Sequence, residues 1–198
     1  MNFKTDKFPK WKHEPLSLHY KSAYDIILYW SSIEDIYGFL FFGGRKMSGK
    51  KRVEIFTDGA CSGNPGRGGW GVILRYNQHQ KELSGGEANT TNNRMELSAV
   101  IAGLEALTEP CIVTLYSDSK YFIDAIQKGW AVGWKSRGWM RNKKEKALNP
   151  DLWEKLLDLL KIHQVEICWV KGHAGHIENE RCDKLAVEFY TKLKEKHK

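Results

Sequence analysis

The chain has 198 residues, enough for one ordinary domain and an appendage, and its 41% hydrophobic and 12% aromatic content suffices for a packed core. A formal net charge of +7 and a pI of about 9.1 point toward a polyanionic partner, although a basic surface without one carries the same charge. Four scattered cysteines (Cys61, Cys111, Cys168, Cys182) form no C-x-x-C pair, which excludes a disulfide framework and suits a cytoplasmic protein with reduced thiols. The longest uncharged apolar runs, Ile26–Ile33 and Ile36–Gly44, fall far short of the roughly 18–20 residues that span a bilayer, so no membrane segment is expected. No charged n-region leads into a cleavable h-region, so no signal peptide is expected either.

Residues 1–49 read as an N-terminal extension of different character from the rest. They are rich in Tyr, Trp and Phe, among them Trp11, Tyr29, Trp30, Phe41 and Phe42, and end in a basic, glycine-containing linker, Gly43 to Lys50. Three readings stand open: the segment packs on the main domain, binds a partner through its aromatics, or lies upstream of the true start. Met47 stands directly before the first strand, which favours an over-extended start.

Residues 50–198 read as one domain. Strands are expected at Arg52–Asp58, Gly69–Tyr76 and about Gln80–Glu87, separated by turns at Gly63-Asn64-Pro65-Gly66 and Tyr76-Asn77-Gln78. Thr90-Thr91-Asn92-Asn93 supplies N-cap residues for a helix running to about Leu107. Ile112–Ser117 is an apolar strand ending at Asp118, and Lys120–Lys128 is helical up to Gly129. Residues 129–149 read as irregular. A helix opens at Asn149-Pro150-Asp151 with Leu152, Leu156, Leu159 and Leu160 toward the core. A strand at Val165–Val170, a glycine-containing loop at Lys171–His176 and a terminal helix from Glu178 complete the order β-β-β-α-β-α-α-β-α, a mixed α/β sheet covered by helices.

Gly66-Arg67-Gly68-Gly69-Trp70-Gly71 matches the dinucleotide pattern G-x-G-x-x-G. That pattern needs a helix at its end to hold a pyrophosphate, whereas here a strand follows, so the cofactor reading fails.

Four acids stand at informative places. Asp58 and Asp118 close two strands expected to be neighbours, so their carboxylates can emerge together. Glu96 leads the stripe Val100, Gly103 and Leu107, which faces the sheet, and a glutamate there is costly unless it meets a cation. Asp183 lies one turn into the last helix. Singly, each is readily a cap or a surface acid. Converging, they repel and raise one another's pKa unless a hard divalent cation joins them, and oxygen donors without a Cys or His cage favour Mg²⁺ or Mn²⁺ over Zn²⁺. His173, His176 and Cys182 offer a zinc alternative, but their spacing fits no usual finger and a glycine loop makes a poor cage. A histidine beside a metal cluster better suits proton transfer.

From Gly129 to Lys146, Trp130, Trp134 and Trp139 are interleaved with Lys135, Arg137, Arg141, Lys143, Lys144 and Lys146. A charge run is usually a solvated face, but spaced tryptophans can pack on sugars or bases while the cations meet phosphates.

These residues resemble the bacterial type 1 ribonuclease H family. The matching stretches are Ile55–Gly59, Gly63–Gly66, Thr90–Leu97, Ser117-Asp118-Ser119, Trp169–His173 and Asn179–Asp183, in the family's order across residues 52–190. The resemblance implies a ribonuclease H-like fold with a five-stranded mixed sheet, and a monomeric enzyme that cuts the RNA strand of RNA–DNA hybrids, leaving 5′-phosphate and 3′-hydroxyl ends. It further implies that Asp58, Glu96, Asp118 and Asp183 hold two Mg²⁺ ions, with Mn²⁺ a possible substitute, and that His173 assists proton movement or product release. Hybrid contacts are implied at Gly59, Cys61, Asn64, Thr91, Asn93 and Lys120, and at Trp130, Trp134, Lys135, Arg137 and Trp139 of a basic protrusion. Lys120 and Asn89 depart from the glutamine and arginine common in the family, which touches substrate contacts and not the chemistry. A reverse-transcriptase domain, a resolvase-type nuclease on the same fold and a non-cleaving hybrid-binding module are the rival readings.

A natural protein that starts at Met47 will yield no peptide from residues 1–46 by mass spectrometry; detection of one establishes the longer chain.

Overall fold

The computed structural model describes residues 50–172 and 174–195. The N-terminal extension, the alternative start at Met47 and His173 therefore lie outside the described residues.

Five strands, β1 (Arg52–Gly63), β2 (Gly66–Tyr76), β3 (His79–Thr90), β4 (Ile112–Ser117) and β5 (Gln164–Trp169), form one sheet in the order β3-β2-β1-β4-β5. β1 to β3 are an antiparallel meander, while β4 runs parallel to both β1 and β5, so the sheet is mixed as expected. Five helices accompany it: α1 (Asn92–Glu105), α2 (Lys120–Gln127), α3 (Trp130–Ser136), α4 (Pro150–Ile162) and α5 (Ile177–Glu195).

The central strand β1 is buried on both faces, which is why Val53 to Phe56 reads as an almost unbroken apolar run and not as an alternation. Ile55 joins Val72, Leu97, Val100 and Leu104 in the main core beneath α1. Phe56 turns the other way and packs with Ile73 and Cys182 beneath α5. The helices thus cover opposite faces. On the α1 side, fully buried Trp153 of α4 donates its indole N–H to the Tyr121 hydroxyl at 3.0 Å and meets Trp134 edge-on at 6.0 Å. Trp153, more than the leucines named from the sequence, anchors α4; of those four, Leu156 is fully buried, and the other three pack at the core margin.

Two expectations need correction. β1 does not end at Asp58 but continues to Gly63, because it stays paired with β2 as far as Gly63↔Gly66 after leaving β4. The stretch after Gly129 is not wholly irregular: Trp130–Ser136 is helical, making five helices among the described residues where four were expected. Gly129 enters α3 in the left-handed conformation, and a helix so short lacks the length for periodicity to show in sequence.

The rejected glycine fingerprint finds its reason in α5. Alternate β2 residues Gly69, Gly71, Ile73 and Arg75 form a track, and α5 lays Ala186, Cys182 and Glu178 along it at four-residue spacing. A Cβ on Gly71 would stand 2.1 Å from the Cys182 carbonyl oxygen, and one on Gly69 2.2 Å from that of Ala186. The glycines admit a helix backbone; they do not cradle a phosphate.

Gly71→Ala is expected to destabilise the protein by about 1–3 kcal/mol in urea unfolding, since the methyl must lift α5 off the sheet. An unobstructed strand glycine would instead gain about 0.4–1 kcal/mol from the same change, so the sign of the shift decides.

Candidate metal and nucleic-acid site

The parallel ladder between β1 and β4 closes at Thr57↔Ser117. The next residues, Asp58 and Asp118, leave it side by side where the two strands part. Glu96 reaches the same place from the first turns of α1, whose N-cap Thr91 accepts a hydrogen bond from the Arg94 N–H. The close approach of α1 to β1 depends on Gly59, where a Cβ would lie 2.3 Å from the Glu96 backbone nitrogen. One carboxylate oxygen from each of Asp58, Glu96 and Asp118 lies within 4.8 Å of the others. Asp58 and Glu96 are buried and Asp118 is half-buried.

Two ionised carboxylates at that separation repel by about 3 kcal/mol at an effective dielectric constant of about 20. Local hydrogen bonds are too few to offset this. Gly59 N–H donates to Asp58 Oδ1 at 2.7 Å, Asn92 Nδ2 to Glu96 Oε1 at 3.2 Å and Asn179 Nδ2 to Asp118 Oδ2 at 3.3 Å. Burial, then the charges of Asp118 and Asp183, push the Asp58 carboxyl up to about 8. Burial, with Asp58 and Asp118, holds Glu96 well above the usual carboxylate range.

Glu96 Oε2 and Asp118 Oδ1 are both buried without a hydrogen-bond partner. Unpartnered buried oxygens in an all-carboxylate group fit a hard divalent cation. Among the described residues, the group with ligand spacing is Asp58, Glu96 and Asp118. Asp183, half-buried on α5, stands outside that trio but near enough for its charge to act on Asp58. The zinc alternative finds no support, since the Cys182 thiol donates to the Phe56 carbonyl at 3.3 Å, and the His176 ring lies against Phe56 and Tyr116.

The residues linked to hybrid binding fall into two groups. Gly59, Cys61, Asn64, Thr91 and Asn93 come together where the β1–β2 hairpin meets the start of α1. There Asn64 Oδ1 accepts from the Asn92 N–H at 3.4 Å and the Cys61 thiol donates to the Thr90 carbonyl at 3.5 Å. Lys120 opens α2, exposed, with its ammonium 5.6 Å from the Trp169 ring centroid. The second group surrounds α3 and differs from a row of open rings. Trp130 is 44% exposed, with the Lys128 ammonium 4.8 Å above it, but Trp134 is only 8% exposed and belongs to the core. Trp139 donates to Glu154 at 3.2 Å, Lys135 pairs with the same glutamate at 2.6 Å, and Arg137 is exposed. Asn92 and Asn179, which orient Glu96 and Asp118, were not singled out in the sequence. For Asn92 the available signal is its place four residues ahead of Glu96 on one helix; for Asn179, whose partner Asp118 lies 61 residues away, the sequence carries none.

Fold and site together define an α/β protein with a buried carboxylate cluster that fits a divalent cation at the parting of two parallel strands. Residues 50–190 match the family model described as RNase H. The chain is 68% identical over 137 residues to a ribonuclease H of Rippkaea orientalis, covering 69% of this chain and 84% of that one. To a ribonuclease H of Desulforamulus reducens it is 65% identical over 137 residues, covering 69% and 86%. Among solved structures it is similar to LC9-RNase H1, described as a type 1 RNase H with the type 2 active-site motif. The TM-score is 0.64 and the identity 33%, with 71% of this chain and 72% of that one covered. The chain belongs to the ribonuclease H family. It is therefore a nuclease, a phosphodiester hydrolase of a metal-dependent family, and no helix among its described residues is long and apolar enough to cross a membrane.

A carboxyl raised in the folded state adds stability that is full below its unfolded pKa and is lost as pH rises through the folded value. Without divalent cations, Asp58→Asn is expected to be more stable than the parent at about pH 8, with the difference shrinking toward pH 4. The limiting slope is about 1.4 kcal/mol per pH unit. Urea unfolding in chelator across that range checks this, and added Mg²⁺ should stabilise the parent more than the variant.

Proposed function

We propose that this protein hydrolyses the RNA strand of RNA–DNA hybrids endonucleolytically at the Asp58–Glu96–Asp118 centre, with Asp183 completing it. The observation that carries this reading is the pair of buried, unpartnered oxygens, Glu96 Oε2 and Asp118 Oδ1, among carboxylates held together against their repulsion. The four acids would hold two Mg²⁺ ions, or Mn²⁺ in their place, which when bound supply charge neutralisation at the phosphate and a more acidic water. In the reaction a water oxygen forms a bond to phosphorus as the bond to the 3′-oxygen breaks, so the products carry 5′-phosphate and 3′-hydroxyl.

The chain's own residues do the positioning. Asn92 and Asn179 each occupy one oxygen of Glu96 and Asp118, and the other oxygen of each, which has no protein partner, would hold the cation. Gly59, Cys61, Asn64, Thr91 and Asn93, close to Glu96, would read the 2′-hydroxyls that distinguish RNA from DNA. Lys120, Trp130, Lys135 and Arg137 would contact the hybrid backbone, which gives affinity without sequence preference. Trp134 and Trp139 support that surface from within. His173 would move a proton or help release product. Residues 50–198 serve as the catalytic domain of a monomeric, cytoplasmic enzyme, and 1–49 either extend it or, with a start at Met47, lie upstream of it.

Identities of 65–68% to proteins named ribonuclease H favour this reading over a reverse-transcriptase domain or a resolvase-type nuclease. Four retained acids, of which a binding module has no need, disfavour non-cleaving binding.

Purified protein incubated with labelled RNA–DNA hybrid, duplex DNA and single-stranded RNA should cut only the RNA of the hybrid, and chelator should stop it. Asp58→Asn should lower cleavage by at least about a thousandfold, on the order of 4 kcal/mol in barrier, while still binding the hybrid. Turnover retained in that variant places the metal centre elsewhere.

A further inference from the structure

Helix α5 delivers two groups to the acid site, Asp183 and Asn179, the latter donating to Asp118 Oδ2 at 3.3 Å. Where the helix sits along β2 decides where both stand. Two of its contacts on the track, Cys182 over Gly71 and Ala186 over Gly69, are close backbone contacts, and the Cys182 thiol donates to the Phe56 carbonyl at 3.3 Å. The third is an ion pair. In the first turn of α5, Glu178 Oε1 lies 2.7 Å from Arg75 Nη2 at the end of the same track.

Arg75 is itself fixed to the strands that carry the acids. Its guanidinium carbon is 5.3 Å from the Phe56 ring centroid, and Nη1 is 3.7 Å from Glu54 Oε2. Phe56 stacks on Tyr116 with centroids 4.6 Å apart and planes 8° from parallel. Phe56 stands two residues before Asp58 within β1, so both point to the same face, and Tyr116 stands two before Asp118, which follows the end of β4. The His176 ring packs against both, with Nδ1 3.4 Å from Glu178 Oε2.

We propose that Arg75 is a positioning residue for the cation centre. Through Glu178 it sets the register of α5 on the sheet, which holds Asn179 against Asp118 Oδ2, leaves Asp118 Oδ1 for the cation and fixes the height of Asp183. This rests on the reading of the four acids given above. Register matters because Mg²⁺ requires oxygen distances of about 2.0–2.1 Å in near-ideal geometry, whereas one residue of helix rise is about 1.5 Å. The same helix offers an internal control. Arg181 pairs with Glu82 through Nε at 3.1 Å and Nη2 at 2.8 Å, but this ties α5 to the edge strand β3, which carries none of the four acids.

The test is calorimetric titration of the full chain with Mn²⁺, without substrate, for the parent and for Arg75→Met, Arg75→Lys and Arg181→Met. Arg75→Met is expected to weaken Mn²⁺ binding about tenfold, the usual effect of losing an outer partner of a metal ligand. Arg75→Lys, which keeps the charge, should stay within about threefold of the parent, and Arg181→Met within about twofold. Parental affinity in Arg75→Met overturns the proposal, and so does an equal loss in Arg181→Met, which would mark a general effect of loosening the helix. If Arg75→Met does not fold, Arg75→Lys and Glu178→Gln replace it, with Glu178→Gln expected to show the loss. A parent that binds no Mn²⁺ removes the functional reading and the proposal together; a parent that binds normally beside an unaffected Arg75→Met removes the proposal alone.

Discussion

Carboxylates held with oxygens within 4.8 Å of one another cannot all ionise in a buried setting without an opposing charge, and much of the surrounding structure serves to keep them there. The repulsion, about 3 kcal/mol per pair, is large against the 5–15 kcal/mol by which a domain is stable. Rigid elements must therefore carry it. Asp58 and Asp118 are fixed by strand register, Glu96 by a helix pressed onto β1, and two asparagines occupy one oxygen each of Glu96 and Asp118. A site so built is strained when all its acids are ionised and relaxed when a proton or a cation neutralises them, which would couple cation binding to folding stability.

Close helix–sheet contact on both faces makes that rigidity attainable. Gly59 lets α1 approach β1 beside Asp58, and the Gly69–Gly71 track lets α5 lie on β2 with its backbone against the strand. Most side chains at these positions would push a helix, and the acid it carries, outward by more than a metal–oxygen bond tolerates. Glycine here serves packing distance and not backbone conformation, which is why a motif suggestive of phosphate binding proves to be a seat for a helix.

The basic, tryptophan-rich stretch shows a different division of labour. Trp134 is drawn into the core against Trp153 and Ala131 is buried beside it, so α3 is anchored from below. Trp130 and Arg137 are left outward. Cations on a firmly seated helix lose less entropy on meeting a phosphate backbone than the same residues on a free loop.

The sequence by itself determined the order of elements along the chain, the mixed sheet, most element boundaries and the family. Apolar runs, capping residues such as Thr91 and the acids Asp58 and Asp118 that follow such runs are local signals, written in neighbouring residues. What only the tertiary structure decided were facts about pairs distant in the chain. β1 parts from β4 at Asp58 yet continues with β2 to Gly63, because two partners of different length flank one strand. Trp134 faces inward though Lys135 beside it is charged, because burial depends on Trp153 nineteen positions away. Asn179 serves Asp118 and not the nearer Asp183, because helix and strand meet only once the sheet is assembled. Asp58 could be named from its strand. Its raised pKa, to about 8, arises only when folding buries it and brings Asp118 and Asp183 near.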